Sequence, residues 1–120
     1  VRYLMSIDNP SPAIRQAVAG AAAWFDEVKV TGKRLVTVTD ATLPGGVDRR
    51  LVEDASAPPI WGRYYEIGSN RVLYIEEGTV HYQLAALSHK HRVGHGWIGG
   101  RWPARLLERE YPAWKEKWRE

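Results

Sequence analysis

The strongest constraint on the fold lies in the stretch that begins at Asn9-Pro10-Ser11-Pro12. Ser11 is a good helix N-cap, and Pro12 falls at the first helical position, where its missing N–H does no harm. Behind them Ile14, Val18, Ala21, Ala22 and Phe25 recur at helical spacing, and Trp24 and Val28 widen the stripe. A helix with such a stripe must bury one face. The run Ala21 to Ala23 lets a neighbouring element approach closely, and Gly20, which costs helix propensity, points the same way. A chain of 120 residues is the length of one domain and can bury a real but modest core.

After Val28 the pattern changes. Leu35 to Thr39 is short and β-branched and reads as a strand, and residues 47–53 supply a second across the Pro44-Gly45-Gly46 turn. Ala57-Pro58-Pro59 is an extended connector, because a proline disfavours helix in the residue before it. Trp61 to Ile67 and Arg71 to Ile75 are expected as two strands joined at Gly68-Ser69-Asn70, with a third short strand over Thr79–Tyr82. A helix is expected at about 83–93, closed by Gly94. Gly96 to Gly100 is loose. Pro103 opens a last helix carrying Leu106, Leu107, Tyr111, Trp114 and Trp118, which Pro112 interrupts or kinks. The fold class is therefore α+β for the isolated chain: helices plus a small antiparallel β-sheet. The opening Val1-Arg2-Tyr3-Leu4-Met5 reads as the end of an element begun upstream, so the chain is expected to be a piece of a longer protein.

Several function classes lose support on composition. Without cysteine there is neither a disulfide framework nor a thiolate zinc site. No apolar run approaches the ~18 residues that span a bilayer, so no membrane role is expected. A formal charge of +3 without a Lys/Arg run makes a weak nucleic-acid binder at best, yet it fits an acidic ligand. Six Trp and six Tyr stand against one Phe. Trp and Tyr join a flat apolar body to a polar handle, which suits surfaces that meet sugars or protein partners, although packing is the usual use of any one of them.

Three constellations could carry chemistry. Of His81, His89, His91 and His95, the pair His91/His95 has helical i,i+4 spacing, but Gly94 ends the helix between them and no acidic residue completes a zinc motif, so capping near a helix C-terminus is the better reading. Asp40, Asp48 and Glu53-Asp54 offer hard oxygen ligands around one turn but match no calcium loop, and solvated loop acids are the better reading. The third constellation is Trp61, Arg63, Tyr64, Tyr65 and Arg71. Strand alternation would put Trp61, Arg63 and Tyr65 on one face. A guanidinium fork can bind a carboxylate with two bonds, and a flat ring beside it can lie against a sugar. Spacing alone leaves open whether this is an oligouronate site, a packed hairpin holding a buried Arg–carboxylate pair with Glu66 as the candidate acid, or a surface that stacks bases beside phosphate contacts.

These motifs add up to a resemblance. Arg2-Tyr3-Leu4-Met5-Ser6-Ile7-Asp8-Asn9-Pro10-Ser11-Pro12 with the helix ending in Ala23-Trp24-Phe25, the segment Pro58-Pro59-Ile60-Trp61-Gly62-Arg63-Tyr64-Tyr65-Glu66-Ile67-Gly68-Ser69-Asn70-Arg71, and the ending Gly96-Trp97, Trp102-Pro103 and Tyr111-Pro112-Ala113-Trp114 are together similar to the C-terminal portion of a pectate lyase of polysaccharide lyase family 10. The resemblance implies part of an α/α toroid longer than this chain, so residues 1–120 would be a single domain or the C-terminal fragment of a larger catalytic domain. It implies anti β-elimination of polygalacturonate, a secreted enzyme, and calcium as cofactor, with the calcium-binding aspartates upstream of residue 1. The family's base is an arginine, and Arg2 stands in that place. Arg63 matches a substrate-binding arginine, with Arg71 a weaker candidate and Trp61 and Tyr65 beside them. The family often carries a basic residue near the turn where Glu76-Glu77 stand here, and that departure puts one expected subsite contact in question. The expected partners are an acidic plant cell-wall polysaccharide and the upstream part of the same enzyme. The expected function is substrate binding within a lyase, without activity of the chain alone. The alternatives are a stand-alone, non-cutting polygalacturonate-binding module and, from a different class, a nucleic-acid binder.

Overall fold

A computed structural model of the chain describes residues 1–119. In chain order the elements are α1 (Arg2–Met5), α2 (Pro12–Val28), β1 (Lys33–Thr39), a 3-10 turn Pro44–Gly46, β2 (Val47–Glu53), β3 (Trp61–Gly62), β4 (Tyr74–Glu76), β5 (Thr79–His81), a 3-10 turn Leu84–Ala86, α3 (His89–Gly94), β6 (Ile98–Gly100), α4 (Trp102–Arg105), a π-helical segment Leu106–Glu110, and α5 (Tyr111–Lys117). Helices and small antiparallel sheets make the chain α+β. The elements fall into two compact units: Val1–Val28 with Trp102–Glu120, and Lys29–Arg101.

The first unit is helical. The Ser11 hydroxyl accepts the Ile14 N–H at 3.3 Å, so the expected N-cap forms. Val18, Ala22 and Val28 of α2 are buried, as are Pro103, Ala104 and Leu106. Pro112 follows the π-helical turn. A proline nitrogen has no proton, and its ring crowds the carbonyl four residues back; the wider turn over Leu106–Glu110 relieves that crowding without ending the helix.

The second unit is built on three two-stranded antiparallel sheets. β1 and β2 pair in continuous register from Lys33↔Glu53 to Thr39↔Val47, bracketing the turn in which Gly45 takes φ +77°. Ile60, Tyr74, Leu84, Leu87, Trp97 and Ile98 form the core, and Val30, Leu35, Leu51 and Val72 pack against it.

The hairpin expected over 61–75 is less regular than its sequence promises. Trp61 and Gly62 pair with β6, and the register shifts between them. Arg63 N–H donates to the Trp97 carbonyl at 2.8 Å. The chain then changes partner: Leu73 N–H donates to Tyr64, Tyr65 bridges Val72, and Glu66 N–H donates to Arg71. Pairing between 64–66 and 71–73 around the Gly68-Ser69-Asn70 turn is therefore present, but no continuous strand runs from Trp61 to Ile67. Gly62 is needed at the crossover, since a Cβ there would lie 2.5 Å from Val72 Cγ1. The expected strand over 79–82 forms as β5, across a Glu77-Gly78 turn with both residues at positive φ.

The helix expected over 83–93 is split. Leu84 and Leu87 are both buried, and Leu87 and Ser88 are extended, so a 3-10 turn and the short α3 replace one helix. The break is held by Glu76, whose Oε1 accepts the Ser88 N–H at 2.7 Å.

Candidate Arg-aromatic site

Losing the continuous strand separates the three side chains that alternation would have put on one face. Trp61 is buried at 4% exposure and presents no ring face to a ligand. Tyr65 is partly buried, its Oη accepts the Gly62 N–H at 2.9 Å, and burial raises its pKa. Arg63 stays at the surface, with its guanidinium 5.4 Å from the centre of the Tyr64 ring. Tyr64 is 44% exposed and leans on Trp97 at 6.1 Å. Trp61 and Tyr65 are thus supports, and the exposed fork and ring are Arg63 and Tyr64.

Arg63 is not sealed against Glu66. Among the described residues no carboxylate pairs with it, and Glu66 belongs to Arg71 instead. Glu66 accepts from the Ser69 hydroxyl, from Tyr82 Oη at 2.6 Å and from Arg71 Nη2 at 3.1 Å. Arg71 lies over the Tyr82 ring at 3.6 Å, close enough for a cation–π contact. The bonds from Ser69, Tyr82 and Arg71, in that order, pull the Glu66 carboxyl down to about 2, and Glu66 in turn raises the Tyr82 phenol. Arg71 spends one of its donors on Glu66, and its side chain stays half-exposed. Tyr82 was absent from the sequence-based candidate set. Its only signal there was its place at the end of the hairpin after Arg71.

A folded carboxyl near 2 against an ordinary 4.5 adds stability that is fully present above the ordinary value. That stability is lost as the pH falls from 4.5 through about 2. Urea unfolding across this window is expected to fall less steeply in a Glu66→Gln variant than in the wild type. Equal slopes would mean that Glu66 is not ionised in the folded network.

The acidic departure at Glu76 also has a place. Besides holding Ser88, Glu76 lies 3.4 Å from His91 Nδ1, and the Ser88 N–H bond is the main cause that lowers its pKa. It braces the chain that leads to Trp97 and offers no cation to a ligand.

Arg2 belongs to the helical unit. Its Nε and Nη2 donate to both oxygens of Glu110 at 2.7 and 2.9 Å, and its guanidinium lies 5.3 Å from the Trp102 ring centre. The Glu110 bond raises the Arg2 pKa, which holds the proton in place.

Among the described residues no three His, Asp or Glu side chains converge on a metal site. Asp40 accepts from Thr42, Asp48 is taken by Arg92, and Asp54 accepts from Ser56 and Arg34. His91 and His95 have ring centres 6.1 Å apart without an acid to complete a site. Among the described residues no set of carboxylates is gathered to hold a calcium ion. No described helix is long and apolar enough to cross a membrane.

No curated protein and no solved structure matches the chain significantly. A family model for pectic acid lyase matches residues 1–107. That match includes the Arg63–Arg71 segment, β1 and β2, and the turn into α4, so the chain belongs to the pectic acid lyase family.

Proposed function

We propose that this chain supplies part of the substrate-gripping surface of a pectate lyase and binds polygalacturonate through Arg63 and Arg71, with the Tyr64 and Tyr82 rings beside them. The observation that carries this reading is the exposed Arg63 guanidinium, laid along Tyr64 with no acidic partner among the described residues. A fork without an acidic partner breaks no ion pair when it takes up a sugar carboxylate, and charge-assisted bonds of this type are the strong ones. Arg71 is the second grip, held by Glu66 and by the Tyr82 ring. The neutral Tyr82 phenol keeps that brace intact at alkaline pH, because Glu66 raises its pKa.

Eliminating across a uronate requires a base at the proton next to the carboxylate. Arg2, the family-implied base, must give up its own proton to solvent before it can accept that one, and its Glu110 pair opposes this, since Glu110 favours the protonated form. Calcium remains part of the proposal through the family, with its protein ligands outside these residues. The substrate is a plant cell-wall polymer, so the proposal places the working protein outside the cell that makes it. The chain alone is expected to bind and not to cut.

Two measurements test this reading. Titration with an oligogalacturonate is expected to show saturable binding that Arg63→Ala weakens by about ten- to a hundredfold, the loss of ~1.5–3 kcal/mol that accompanies a missing charge-assisted bond. Unchanged affinity would make Arg63 structural. Incubation with polygalacturonate and calcium at alkaline pH is expected to give no ultraviolet-absorbing unsaturated product. A rise that a chelator abolishes would contradict the division between binding and cutting.

A further inference from the structure

A cleft of about 470 Å³ opens in the second unit between β1, β2 and the segment Tyr82–Arg92, and none of the family motifs passes through its cationic wall. Lys33, Arg49, Arg50 and Arg92 line it, and Asp48 is the one acid among its lining residues. Arg92 neutralises Asp48 through Nε at 2.9 Å and Nη2 at 3.3 Å. Three cations remain. Lys33 touches Glu53 at 3.2 Å, but Glu53 is 83% exposed and is a weak competitor in water. Arg49 gives one donor to the uncharged His95 carbonyl at 3.2 Å and keeps the rest. Arg50 is exposed and makes no close ion pair among the described residues, though Asp40 is near enough to feel its charge. Tyr82 forms part of the same wall, and its ring is the one on which Arg71 lies.

Tyr82 therefore joins the cleft to the Arg71 end of the proposed site. A polyuronate repeats its carboxylate at every sugar, so a surface that follows it needs cations in series with flat or polar groups between them. We propose that the Lys33–Arg49–Arg50 cleft is a second uronate subsite that takes a further carboxylate of a polygalacturonate chain already held at Arg63 and Arg71. This rests on the uronate reading above. It adds cations that replace the one lost at the Glu76-Glu77 turn.

The test compares a dimer and a hexamer of galacturonate, titrated into the wild type, a Lys33→Gln/Arg50→Gln double variant and Arg63→Ala. Neither substituted side chain lies in the core, and circular dichroism confirms that the double variant is folded. The double variant is expected to bind the hexamer about tenfold more weakly, as for loss of a charge-assisted bond, with the dimer's affinity unchanged. Arg63→Ala is expected to weaken both. If the double variant binds the hexamer as the wild type does while Arg63→Ala does not, the cleft proposal is wrong and the primary site stands. Equal losses for dimer and hexamer would make the cleft the primary site and also overturn the proposal. If the wild type binds neither oligomer, the uronate reading fails and takes the cleft with it.

Discussion

Replacing Trp97 by alanine is expected to destabilise the Lys29–Arg101 unit by about 3–5 kcal/mol, the range for truncating a buried aromatic to alanine. Trp97 is 7% exposed and belongs to the core with Ile60, Tyr74, Leu84, Leu87 and Ile98. Its ring also meets Tyr64, Tyr74 and His95 at 6.1, 6.2 and 5.3 Å. Its indole N–H donates to the His91 carbonyl at 2.9 Å, so the substitution leaves a cavity and also removes a donor. The effect reaches the candidate site, because Tyr64, on which Arg63 rests, leans on this ring. Urea unfolding followed by circular dichroism reads the change. A loss below ~1 kcal/mol, ordinary for a surface residue, would mean that Trp97 is not the centre of this core.

The second large effect is at Asp48, the one buried charged residue among those described. Its carboxylate accepts from Arg92 and from the Arg49 N–H, and the Arg92 bonds hold its pKa below the ordinary range. Arg92 also donates to the Leu87 carbonyl, tying β2 to the chain between the 3-10 turn and α3. Asp48→Ala takes the carboxylate from this guanidinium and is expected to cost about 3 kcal/mol, the low end for breaking a buried pair, because Arg92 keeps its Leu87 carbonyl and, at 19% side-chain exposure, recovers some water. Asp48→Ala with Arg92→Met removes both charges and is expected to restore much of the loss. A double variant no better than the single one would mean that the pair is held for its shape and not its charge.

What the sequence made legible was local. β1 and β2 match their expected spans within two residues, because β-branched residues, alternation and a glycine turn all lie within twenty residues of one another. The Ser11 cap, the helix after it and the interruption at Pro112 are equally local. The expectations that failed depended on distant partners. Trp61 pairs with β6, some forty residues on, and that partner pulls it out of register with Arg63 and Tyr65. The helix over 83–93 breaks because a carboxylate from β4 holds the Ser88 N–H. The same division runs through the site. Arg63 and Arg71 were readable as guanidinium forks near aromatics, but which aromatics served them was not. Tyr82 reaches Glu66 only because β4 and β5 turn back, and Arg49 and Arg50 join Lys33 around one cleft only through strand pairing.

The most direct check of carboxylate recognition is electrophoresis of the native chain through gels cast with polygalacturonate or with fully methyl-esterified pectin. Retardation in the first gel, absent in the second and relieved by Arg63→Ala, is the predicted result. Equal mobility in both gels would contradict it.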